Sequence, residues 1–347
     1  MRVLIIGGTR FMGPWVVRRL VETGHEVTLF HRGQTETELP ESVRHLHGER
    51  AELPRLAAEL GDQTPDIVLD MFAMTEADAR TVVATFTGVA RRLVAISSMD
   101  VYRAFGVLIN TEPGSVEPVP LTEDSPVRSR LYPYRSEPRR AADDPQRWRD
   151  DYDKILVERV VLGESRLPGT VLRLPMVYGP GDYQHRLQAY VRRMDDGRRA
   201  IPLDRQVAAW RTARGYVENV GAAIALATTD DRAAGRTYNV GEAEALREAD
   251  WVQAIGRAAG WDGAVVTVDA PALRGGSIGN ANTGQDLVAD TGRIRQELGY
   301  AEPVPRDEAI ARTVAWERAH PPANVDPAAF DYAAEDDALA RVRESRS

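Results

Sequence analysis

The chain has 347 residues, 43% apolar and 28% charged, enough for a large core, and carries a net charge of −8 at pH 7. That balance, with no basic run, disfavours nucleic acid as a partner, because phosphate backbones require a positive field. Cysteine is absent, which excludes disulfides and thiol chemistry, and no run approaches the ~18 apolar residues of a membrane span. The N-terminal apolar run is too short for a signal peptide, so a cytoplasmic protein is expected, of a length suited to two lobes.

The first strand, Val3 to Ile6, is continuously apolar, as in a parallel sheet covered on both faces. It runs into a turn of Gly7, Gly8, Thr9, Arg10, Phe11, Met12 and Gly13, and then a helix in which Val16, Leu20 and Val21 recur at helical spacing. Gly24 ends the helix, and Glu26 to Phe30 forms the second strand. Glycines between a buried strand and an amphipathic helix let the backbone approach a pyrophosphate seated on the helix N-terminus, so this turn is expected to bind a dinucleotide. Arg10 replaces the usual middle glycine. The second strand ends in His31-Arg32 rather than an acidic residue for the ribose hydroxyl. Arg10 and Arg32 suit a 2′-phosphate, which favours NADP over NAD.

Val43 to His47 reads as the third strand, with His45 and His47 as strand residues rather than metal ligands, and no metal is expected. Glu49 is placed to meet the adenine. A helical stretch from Arg50 to Leu60 precedes a fourth strand, Asp66 to Asp70, with Phe72 and Ala73 beside the nicotinamide ribose. Thr75 to Gly88 reads as a helix and Arg92 to Ile96 as the fifth strand, ending in Ser97 and Ser98. This alternation predicts an α/β fold: a Rossmann-type doubly wound parallel sheet with ligands at the carboxyl ends of its strands. Residues 103–145 form a long connection of the kind often used as a lid or binding loop.

Of 44 basic residues only Lys154 is lysine. A chain so biased toward arginine keeps a lysine by chance or because guanidinium will not serve. Residues 148–158 read as helical, with Asp143 and Asp144 capping a start at Pro145. A surface lysine paired at i,i±4 with Asp150 and Glu158 is the plain alternative. Arg173 to Val177 reads as the sixth strand. Arg192, Arg193, Arg211 and Arg214 suit an anionic substrate group, or simply a solvated helix face. Trp251 to Gly260 reads as an amphipathic helix, 270–285 as a flexible loop over the cleft, and the acidic segment 330–337 as surface. A dinucleotide-binding domain is expected over 1–172, with 205–240 returning to it. Residues 173–204 and 241–347 form a smaller C-terminal α/β substrate lobe.

Gly7-Gly8-Thr-Arg-Phe-Met-Gly13, Ser97-Ser98-Met-Asp-Val-Tyr102, Thr122-Glu-Asp-Ser-Pro126, Lys154-Ile-Leu-Val-Glu158, Arg173-Leu-Pro-Met-Val-Tyr-Gly-Pro180, Tyr216-Val-Glu-Asn-Val220 and Tyr238-Asn-Val-Gly241, in this order, resemble the extended short-chain dehydrogenase/reductase family, its NAD-dependent epimerase/dehydratase group. The Gly-Gly-Thr-Arg-Phe form is also similar to a branch that includes plastid stem-loop RNA-binding proteins. The resemblance implies that Ser98 binds the substrate oxygen and that Lys154 holds the nicotinamide ribose and lowers the pKa of a tyrosine one helical turn earlier. It also places Ser97 and Pro175 among the cofactor-binding residues. Here that tyrosine position is Asp150, and Tyr152 should point away from Lys154 on a helix. Four readings stay open: Asp150 as the acid with a pKa raised by burial, Tyr152 if the helix begins late, Tyr102 or another donor, or lost redox chemistry with Asp150 salt-bridging Lys154.

The activity implied is an NAD(P)-dependent epimerase, dehydratase or reductase acting on a nucleotide-activated sugar or small carbonyl metabolite. The alternative is a catalytically silent cofactor-binding sensor or RNA-associated scaffold. Met176 stands where UDP-sugar enzymes usually carry asparagine. Homodimerisation through a helical face is common in the family and is an expectation of the same kind.

Overall fold

The computed structural model describes residues 1–35, 37–273 and 280–344. Five largely buried strands and one exposed edge strand, β3, build the N-terminal part: β1 Arg2–Ile6, β2 Glu26–His31, β3 Arg44–His47, β4 Ile67–Asp70, β5 Arg92–Ser98 and β6 Gly169–Leu174. Between them run α1 Met12–Glu22, α2 Leu53–Glu59, α3 Glu76–Phe86, α4 Arg103–Leu108 and α5 Lys154–Gly163. Then follow β7 Met176–Tyr178, α6 Gln188–Asp195, β8 Ala200–Asp204, α7 Arg205–Ala209, β9 Arg214–Tyr216, α8 Val217–Thr229, β10 Thr237–Asn239, α9 Glu248–Ala259 and β11 Ala264–Val268. The chain ends in α10 Gly292–Leu298, α11 Arg306–Ala319 and α12 Tyr332–Glu344.

Seven strands pair in the order β10-β6-β5-β4-β1-β2-β3, and every pairing is parallel. The order reverses at β1, so the crevice for a ligand opens above its carboxyl end, where the glycine turn lies. Parallel crossovers cover both faces. Val16, Val17 and Leu20 of α1 and Val220, Ala223 and Ile224 of α8 bury one face. Val82 and Phe86 of α3 and Val157 and Val161 of α5 bury the other. The first of these cores continues into the C-terminal elements through Trp251, Ile255 and Ile310. There β7 pairs with β9, and β8 with β11.

Three expectations about elements need correction. The sixth strand ends at Leu174, because Pro175 lacks the amide to continue the ladder, and Met176–Tyr178 pairs with β9 in a separate small sheet. Residues 330–337 are not merely surface: α12 buries Glu335 against Arg193 at 2.7 Å. The Pro145 helix start is absent. A 3₁₀ turn covers Arg147–Asp150, the chain then extends, and α5 begins only at Lys154, capped by Asp153, whose Oδ1 accepts the Ile155 amide at 2.9 Å. Of the expected 270–285 loop, 274–279 lie outside the described residues. Among the described residues no helix is long and apolar enough to cross a membrane.

Candidate active site

The glycine turn is built for close approach. Gly7 and Gly8 sit at φ +86° and +90°, a region costly for other residues. A Cβ on Gly13 would meet the Gly8 carbonyl oxygen at 2.1 Å. Phe11, the residue before α1, offers no side-chain cap, and the first turn of α1 holds no acidic residue. The Gly13 amide donates to the Arg10 carbonyl at 2.9 Å and Pro14 has none, so it is the open, side-chain-free glycine turn with the uncapped, acid-free start of α1 that fits a dinucleotide pyrophosphate. Thr9 hydrogen-bonds Thr35 at 2.8 Å, while Arg10 and Arg32 are exposed. Phe11 meets the exposed Tyr183 edge-on, so the segment after β7 reaches over the turn, a contact no sequence pattern signals. Met12 and Pro175 are half-buried, and Glu49 is exposed after β3. Gly13→Ala is expected to destabilise the fold by more than about 2 kcal/mol in urea denaturation, since backbone must move, and to weaken dinucleotide affinity.

At the ends of β4 and β5 the structure gathers Ala73, Ser98, Asp100, Tyr134, Tyr152 and Lys154. Lys154 is 4% exposed and is no surface residue. Its Nζ donates to the carbonyls of Ala73 at 2.5 Å and Ile96 at 2.9 Å, neither Asp150 nor Glu158 pairs with it, and Phe72 stays exposed beside it. Burial lowers its pKa to about 8 against the opposing pull of Asp100. Tyr152 lies in the extended stretch before α5, where residues i and i+2 share a face. Its ring therefore turns toward the lysine, with Nζ 5.8 Å from the ring centroid. The Tyr152 hydroxyl donates to Asp100 Oδ2 at 2.8 Å, and Ser98, whose Oγ accepts the Asp100 amide at 3.1 Å, lies close enough to influence it. Tyr134, from the 103–145 connection, donates to the same Oδ2 at 3.0 Å. Burial, then the charge of Asp100, pushes the pKa of both phenols well above 10.

Burial likewise raises the pKa of Asp100, whose Oδ1 has no hydrogen-bond partner among the described residues. The buried Arg128 holds the segment by donating to the Asp100 carbonyl and approaching Asp153 at 3.4 Å. Sequence reasoning missed Asp100, Arg128 and Tyr134. The only cue was that Asp100 sits two residues after Ser98 and that Tyr134 falls in a long connection.

Other candidate residues lie elsewhere. Asp150 is buried, but it accepts the amides of Ser136 at 3.1 Å and Arg140 at 2.8 Å and pairs with the Arg140 guanidinium. Its burial pushes the pKa up, yet those hydrogen bonds and that charge outweigh it and hold the carboxyl at about 2, so the expected buried acid is not found. The Tyr102 hydroxyl is taken by Asn239 at 2.6 Å, and burial pushes its pKa up to about 12. Ser97 does not face the crevice: its hydroxyl donates to Glu158 at 2.6 Å, and Glu158 pairs with Arg173 at 2.7 Å. Arg192, Arg193, Arg211 and Arg214 pair with Asp196, Glu335, Asp286 and Glu248 respectively, so none of the four lacks a carboxylate.

Two curated proteins are similar to this chain. 2′-Dehydrokanamycin reductase of Streptomyces kanamyceticus is 28% identical over 68% of this chain and 60% of its own length. The chloroplast stem-loop binding protein of 41 kDa b of Arabidopsis thaliana is 28% identical over 34% of each. The chain thus spans less than two thirds of either relative. Among solved structures, the epimerase Mth375 of Methanothermobacter thermautotrophicus superposes with a TM-score of 0.66 at 18% identity, covering 92% of both chains. The Bordetella bronchiseptica enzyme WbmG in complex with NAD gives 0.65 at 16% identity, over 92% of this chain and 94% of that one. Both share the fold of this chain. The model of the NAD dependent epimerase/dehydratase family matches residues 3–241, and the chain belongs to that family.

Proposed function

We propose that the protein is an NAD(P)-dependent oxidoreductase of this family that reduces the carbonyl of a nucleotide-activated sugar or small metabolite to a secondary alcohol. The carrying observation is the convergence of Ser98, Tyr152 and Lys154 at the end of β5, beside the glycine turn. When bound, the nicotinamide supplies or accepts the hydride. Ser98 then polarises the substrate oxygen, and Tyr152, held protonated by its surroundings, delivers the proton to that oxygen as charge develops. Lys154 orients the nicotinamide ribose and offers its charge to the phenolate left behind. A phenol whose pKa lies above 10 is protonated at neutral pH and so is ready to act as the donor in that step. The name of the reductase relative accords with reduction. Glu49, Met12 and Pro175 line the cofactor in this reading, while Asp150 and Ser97 take no part in the chemistry.

NADP is the favoured cofactor, because His31-Arg32 replaces an acidic strand end and Arg10 and Arg32 both project into solvent there. Titration following nicotinamide fluorescence is expected to show NADPH bound about tenfold more tightly than NADH, with Arg32→Ala narrowing the gap. Equal affinities, or a preference for NADH, would discard NADP. Binding of neither, by protein free of retained cofactor, would sink the enzyme reading.

A further inference from the structure

At the far edge of the sheet, away from the cluster around Lys154, three histidines converge. His45 and His47 alternate with Leu46 on β3, so both rings project from one face of the edge strand. His31 ends β2 directly opposite His47 in the parallel register and is buried, while His45 and His47 are exposed. One ring nitrogen from each of the three lies within 4.8 Å of the others. The closest pair, His31 Nε2 and His45 Nδ1, stands at 2.9 Å, and the His31 and His47 rings meet edge-on at 4.6 Å. Gly33, at φ +71°, folds the chain back over this group, and a Cβ there would lie 3.4 Å from the His47 ring.

We propose that His31, His45 and His47 form a zinc site that pins the edge strand β3 to β2. Two ligands at i,i+2 on a strand and a third on its neighbour present three imidazole nitrogens to one point, and imidazole is a donor suited to zinc. Zinc–nitrogen bonds of about 2.0–2.1 Å in a tetrahedron put the nitrogens about 3.3 Å apart. The His31–His45 pair is already at about that separation, and only exposed rings must close the remaining distance. His31 Nδ1 now accepts the Gly33 amide at 3.2 Å, which leaves the ring proton on Nε2, donated to His45. Zinc takes the place of that proton, which shifts to Nδ1 and gives up the long Gly33 contact. No net proton is gained or lost in this exchange. The fourth position opens to solvent. An edge strand otherwise held by one neighbour gains a cross-link, and a ligand that binds only the folded state raises its stability.

The site adjoins Arg32 and Glu49, which the proposed function assigns to the cofactor, but the three histidines take no part in the proposed chemistry and the test needs neither cofactor nor substrate. Untagged full-length protein is titrated with ZnCl₂ by calorimetry and with CoCl₂ by visible absorption. The expected result is one ion per chain at micromolar affinity or tighter, intense cobalt bands of a four- or five-coordinate ion, and a melting temperature raised by a few degrees with zinc. His45→Gln and His47→Gln, both at exposed positions, should each weaken binding at least about tenfold and abolish the stabilisation. His320→Gln, at an exposed histidine in the C-terminal part, should change nothing. Absence of stoichiometric binding, or binding that survives both His45→Gln and His47→Gln, would overturn the proposal.

Discussion

Tyr152→Phe is expected to lower the rate of carbonyl reduction about 10²–10⁴-fold while leaving NADPH affinity and the melting temperature near wild type. The substitution keeps the buried ring and removes only the hydroxyl that donates to Asp100 beside Ser98. Tyr134 continues to donate to Asp100 Oδ2, so the carboxyl is not stranded and the fold should hold. The loss should therefore fall on kcat rather than on binding, the signature of an interaction made as the proton moves. The measurement is NADPH oxidation with a carbonyl substrate found by screening, beside a fluorescence titration of the same variant. Two phenols share one carboxylate oxygen, which makes the experiment discriminating. If Tyr152→Phe stays within about threefold of wild type and Tyr134→Phe shows the large loss, the donor is Tyr134.

The sheet was legible in the sequence because its evidence is local and periodic. Val3 to Ile6 and Arg92 to Ile96 are short apolar runs bounded by turns, and Gly13 can hold no side chain against the Gly8 carbonyl. Lys154 stood out by composition alone, and its burial fits that signal. The candidate site was harder to read because its geometry depends on where a helix begins. Asp143, Asp144 and Pro145 carry the composition of a helix start, yet Asp144 accepts the Gln146 amide and closes a turn instead. The effective cap is Asp153, one residue before the lysine, and that shift of register turns Tyr152 from the far side of a helix to the same side as Lys154. Asp100, Arg128 and Tyr134 belong to connections without period. Their roles arise from long-range hydrogen bonds that no spacing announces. Ser97 and Ser98 illustrate the opposite error: adjacent on a strand, they must face opposite sides, so only one can serve the crevice.

Lys154→Arg should abolish reduction and weaken dinucleotide binding, although charge is conserved. The ammonium is buried at the end of the crevice, donating to the carbonyls of Ala73, just after β4, and Ile96 on β5, and standing 5.8 Å from the Tyr152 ring. A planar guanidinium, larger and fixed in donor geometry, does not fit that space. The wild-type rate should also report the lysine directly. With a pKa of about 8, Lys154 carries its charge below that pH and loses it above, so reduction should plateau on the acid side and fall as pH rises through 8. Stability should run the other way. The folded pKa lies below the reference value of 10.5, so between the two the unfolded chain binds more protons and stability rises with pH. Holding the charged lysine at neutral pH therefore costs the fold about 3 kcal/mol. Lys154→Met, which removes that cost but leaves the Ala73 and Ile96 carbonyls without their donor, should fold with a melting temperature close to wild type and yet be inactive. A variant that is both inactive and unfolded would make Lys154 a structural residue. One that folds without turning over would show a lysine retained for chemistry at the expense of stability.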